Sequence, residues 1–105
     1  MDHKLLLNEL KKSLNERLGN IILQVILFGS RVNGTPRDYS DYDVLIVLLK
    51  DYNSDLEWKI YDSCYDLDIK YDIIIDAKLI SKNELSTIKG KQPFITNAIE
   101  TGIHV

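Results

Sequence analysis

A chain of 105 residues is one domain's worth of polypeptide, with room for a single core and little left for a separate substrate-recognition domain. Its 45% apolar and 28% charged residues describe an ordinary globular protein and exclude a disordered or fibrous one. A net charge of −3 argues against general binding to nucleic acid, which needs a basic face.

From the N-terminus, Lys4 to Leu18 reads as an amphipathic helix, with Leu7, Leu10, Leu14 and Leu18 at three- and four-residue spacing. Asp2 is placed to cap it and Gly19 to stop it. Ile21 to Phe28 is a nearly continuous apolar run rich in β-branched residues, as expected of a strand buried on both faces. Gly29 to Ser40 reads as a loop or short helical turn, and Asp43 to Leu49 as a second buried strand. A helix from Ser54 to about Tyr65 follows, with Leu56, Ile60 and Cys64 as its inner stripe.

Asp68 to Ile75 is the expected third strand, half alternating and then continuous. Ser81 and Glu84 form a capping-box pattern for a short turn, and Gln92-Pro93 opens a last helix to about Thr101, stopped by Gly102. The order is α-β-β-α-β-α, a single domain over residues 1–105. Cys64 is the one cysteine, so no internal disulfide forms; its apolar-periodic surroundings predict a buried thiol. His3 and His104 sit at opposite ends, which disfavours a histidine metal site. No apolar run is long enough for a membrane span and no signal-peptide core opens the chain, so a cytoplasmic location is expected.

The chemistry concentrates where the first strand ends. Gly29 lets backbone amides approach a ligand closely, and Ser30 adds a hydroxyl donor, a pairing suited to phosphate oxygens. Ten residues on, Asp41 and Asp43 stand at the mouth of the second strand. Strand alternation points both the same way with Cα atoms roughly 6.5–7 Å apart, so they can converge on one hard cation such as magnesium. Asp72 interrupts the expected third strand and is a candidate third acid, holding a second ion or taking a proton from an attacking hydroxyl. Asp68 and Asp76, four residues to either side, would face the same way on a regular strand. Arg31 and Arg37 fall in the loop, each either a clamp on a triphosphate or a solvated side chain.

Together, LFGSRVNGTPRDYSDYDVLIVL resembles the signature of the minimal nucleotidyltransferases, the small (MNT) branch of the DNA polymerase β-like superfamily. The Gly-Ser-x10-Asp-x-Asp spacing matches without gaps, and the resemblance runs on to FITNAIETGIHV, similar to the family's terminal helix and last short strand. It implies an α/β (α+β) fold: a small mixed β-sheet with helices packed mainly on one face. It also implies that Gly29, Ser30 and Arg31 bind the nucleotide and that Asp41, Asp43 and Asp72 carry magnesium, two ions in all, and catalysis. Domains this small resemble the antitoxin half of two-gene modules whose partner is a HEPN toxin. There AMP passes from ATP to a toxin tyrosine. Two alternatives stay open: neutralisation by binding alone, and transfer to a small hydroxylated molecule. Homo-oligomerisation stays open as well.

Overall fold

The computed structural model describes residues 2–33 and 41–105, with the backbone alone at Ser30 and Asn33. Arg37 and Tyr39, and with them the later part of the expected Gly29–Ser40 loop, lie outside the described residues. Helix α1 spans His3–Leu18 and begins as its sequence dictates, the Asp2 carboxylate accepting the Lys4 N–H at 2.9 Å. It ends at Gly19, whose φ of +84° suits a residue without a Cβ. Leu6, Leu7, Leu10 and Leu14 are buried along one stripe.

Strand β1 (Ile22–Phe28) leads into a single helical turn, α2 (Ser30–Asn33), and strand β2 (Tyr42–Leu48) returns antiparallel to β1. Helix α3 (Ser54–Tyr71) then crosses over to strand β3 (Ile75–Ser81), which runs parallel to β2 as a helical crossover requires. Ser81 caps the short helix α4 (Lys82–Leu85) in a complete capping box with Glu84. A 3₁₀ turn over Ile88–Lys91, helix α5 (Pro93–Thr101) and the two-residue strand β4 (Ile103–His104) close the described chain. The sheet order is β3-β2-β1-β4, with β4 antiparallel to β1.

Alternation sorts the strand side chains into two cores. Val25, Leu27, Val44, Ile46 and Leu79 meet α1 and α3, the two long helices, on one face. Ile26, Phe28, Leu45, Val47 and Ile80 point to the other, where Ile95 and Ala98 of α5 cover them. Burial on both faces is why β1 and β2 read as unbroken apolar runs.

The third strand differs from the sequence expectation. Residues 66–71 continue α3 instead of opening a strand, because Leu67 extends the buried Ile60–Cys64 stripe by one more turn. The helix stops at Asp72, a non-glycine residue in the left-handed region (φ 53°, ψ 52°) whose N–H donates to the Asp68 carbonyl. The strand therefore starts at Ile75. Among the described residues no helix is long and apolar enough to cross a membrane.

Candidate active site

Strand register builds the site. Phe28 at the end of β1 pairs with Asp43 at the start of β2, and Asp43 pairs with Asp76 at the start of β3. All three lie on the face that α5 covers only in part. They form a transverse row of Phe28, Asp43 and Asp76, behind which Ile26, Leu45 and Lys78 form the next. The β-bulge in β1 lies between Ile22 and Gln24, at the opposite end, so the pairing near the acids is regular.

Asp72 is not in this row. As the exposed cap of α3 it sits off the strand, and the acid that the fold places beside Asp43 is Asp76. The sequence reading missed Asp76 because it placed the third strand over Asp68–Ile75, where the structure continues α3, and so stopped just short of Asp76. The available signal was an acid breaking the apolar stretch Ile73–Ile80.

Asp41 precedes β2 and is exposed. Its charge reaches Asp43: the Asp43 carboxyl is raised above its ordinary value by burial first, then by Asp76 and Asp41, with Lys78 opposing. Lys78 Nζ stands 3.6 Å from an Asp76 oxygen. Asp68, in the last turns of α3, accepts the Ile75 N–H at 2.8 Å; burial raises its carboxyl, the Ile75 bond opposes, and Asp41 adds a smaller push upward. Like charges held this near one another are relieved by a cation.

Gly29 is required here twice over. Its φ is +83°, and a Cβ built on it would stand 2.3 Å from Asp43 Oδ2. The missing side chain is thus the space that the Asp43 carboxylate occupies. Ser30 follows as the first residue of α2, where the Val32 N–H donates to the Gly29 carbonyl at 3.0 Å. Arg31 is the next residue of α2. Its guanidinium carbon lies 4.2 Å from the centroid of the Tyr42 ring, and Tyr42 packs with the α1–α3 core, on the side of β2 opposite to Asp43. The His3 ring meets the same tyrosine edge-on at 5.9 Å.

Asp41, Asp43 and Asp76 bring carboxylate oxygens, the hard donors that magnesium prefers, to one end of the sheet. Among the described residues no three His, Cys, Asp or Glu side chains are gathered closely enough to hold a metal ion as they stand.

Residues 7–99 match the family described as "Nucleotidyltransferase domain". The chain belongs to that family. Two proteins of Methanocaldococcus jannaschii, each named "Putative protein adenylyltransferase", are related to this nucleotidyltransferase over most of its length. One is 30% identical over 97% of this chain and 96% of its own, the other 31% identical over 90% and 67%.

Solved structures share the fold. A toxin–antitoxin structure with AMP-PNP aligns at a TM-score of 0.59 and 21% identity, over 92% of this chain and 69% of that one. A chain from the complex of tri-AMPylated Shewanella oneidensis HEPN toxin with MNT antitoxin aligns at 0.54 and 19%, over 96% and 69%. The mixed sheet with its two long helices on one face is thus the nucleotidyltransferase fold expected from the sequence.

Proposed function

We propose that this nucleotidyltransferase moves AMP from ATP to a tyrosine hydroxyl of a HEPN-type toxin, acting as the antitoxin of the pair. The observation that carries the reading is the Phe28–Asp43–Asp76 row beside Gly29. The names of the two archaeal relatives and of the solved complexes supply the acceptor class.

In this reading Asp41, Asp43 and Asp76 hold magnesium, which when bound draws charge from the phosphate oxygens. The backbone at Gly29 and Ser30 seats the phosphates. The tyrosine oxygen attacks the α-phosphorus in line; its bond to phosphorus forms as the bond to pyrophosphate breaks. The hydroxyl proton passes to Asp76, whose side chain is 44% exposed on the outermost strand of the sheet and so open to a large acceptor.

The test is incubation with magnesium, ATP labelled on the α-phosphate and the product of the neighbouring gene as the acceptor. Label on the partner, lost in Asp43→Asn, is the expected result. An unlabelled partner with wild-type protein overturns the reading.

One feature favours neutralisation by binding alone. Trp58, Tyr65 and Ile69 line an exposed stripe of α3 at helical spacing, remote in sequence from the acid row. Under that reading Asp43→Asn still silences the toxin and Trp58→Asp with Ile69→Asp does not.

A further inference from the structure

Phe94 is the second residue of α5, directly after Pro93 at the helix start. The next residue, Ile95, is fully packed against the sheet, so α5 is anchored there and the Phe94 position is fixed. Its ring lies 6.3 Å from that of Phe28, centroid to centroid, at a tilt of 30°. Phe28 is buried, whereas Phe94 leaves 38% of its surface in solvent.

The position of this pair is what distinguishes it from the other exposed apolar residues. Phe28 is the direct cross-strand neighbour of Asp43 and points to the same face. Phe94 therefore reaches the acid row through the Phe28 ring, at the Phe28 end. Asp76 closes the other end of the row, at the sheet edge. An α-phosphate over Asp43 has the Asp76 carboxylate on one side and, on the other, Phe28 with Phe94 packed against it.

We infer that Phe94, backed by Phe28, is the shelf on which the nucleotide base stacks, and that it favours a purine through the larger overlap of a two-ring base. The inference rests on the nucleotidyl-transfer reading above and adds the residue that selects the base. Stacking on an aromatic side chain is worth about 1–3 kcal/mol per base, or roughly 5- to 150-fold in affinity.

Calorimetric titration with magnesium and ATP, CTP or inorganic triphosphate tests it on the wild type and on Phe94→Ala, Phe94→Leu and Phe94→Trp. Leucine retains most of the apolar volume and lacks the π-face, and tryptophan keeps it. The expected result is ATP binding weakened at least about fivefold in the alanine and leucine variants and retained with tryptophan. The advantage of ATP over CTP shrinks in the same two variants, and inorganic triphosphate binds all four proteins alike. ATP affinity unchanged in Phe94→Ala, or ATP and triphosphate weakened together, overturns the shelf while leaving transfer intact. A wild type that binds no ATP overturns both.

Discussion

Asp43 and Asp76 stand opposite each other on adjacent parallel strands, although a whole helix separates them in the chain. Asp72, four residues earlier, caps that helix in a left-handed conformation and is exposed. Asp76→Asn should therefore lower the rate of label transfer by about 10²- to 10⁴-fold, the usual worth of a general base. Asp72→Gly should leave the rate within a fewfold of wild type. It should also raise stability by up to about 1 kcal/mol, since glycine removes the left-handed penalty. Initial transfer rates and urea midpoints measure both; equal loss in the two variants would contradict the assignment of Asp76.

Gly29→Ala should be costly for two separable reasons. The backbone strain at a φ of +83° is on the order of 1–2 kcal/mol, and the new methyl would strike Asp43 Oδ2. The second cost vanishes if the carboxylate is removed. A double-mutant cycle with Asp43→Ala should show strong non-additivity, with Gly29→Ala costing less in the Asp43→Ala background than in wild type. Additive costs would mean that the two residues do not share the space.

The α1–α3 contact carries a pH signature. The Glu9 carboxylate is held below its ordinary value by the Lys70 ammonium at 2.5 Å, then by the Tyr71 hydroxyl, against the opposing effect of burial. A depressed carboxylate contributes stability above its unfolded pKa and loses it as pH falls through the folded value. Wild type should therefore exceed Glu9→Gln in thermal midpoint at pH 7, and the difference should close as the solution is acidified below the carboxylate range. Added salt should shrink it too, because Lys70 is exposed.

Cys64 is 3% exposed, and burial first, then Asp68, push its thiol up to about 12. At pH 8 a maleimide should react with it only as fast as the protein unfolds, and completely in denaturant. Rapid labelling of the native protein would place the thiol outside the core.

Much of this arrangement was legible before folding was considered. Strands β1 and β2 announced themselves because both of their faces are buried, and Gly29 and Asp43 stand where the ends of those strands place them. The third acid was not legible in that way. Asp68-Ile-Lys-Tyr-Asp-Ile satisfies a two-residue period as well as a helical one, and only the burial of Leu67 beneath α1 and β2 decides between them. Which of three aspartates meets Asp43 is a question of register between distant segments, and no local pattern answers it. The same holds for Phe94, which looks like any helix aromatic until α5 sets it against Phe28.

The bend at Asp72 has one more implication. Because side chains alternate along a strand, the point at which α3 stops sets the phase of everything downstream. One extra residue between Asp72 and Ile75 would slide Ile75 into place opposite Asp43 and rotate the Asp76 carboxylate toward α1 and α3. The helix terminus thus works as an indexing pin: it lies off the sheet, yet it determines which side chain stands beside Asp43.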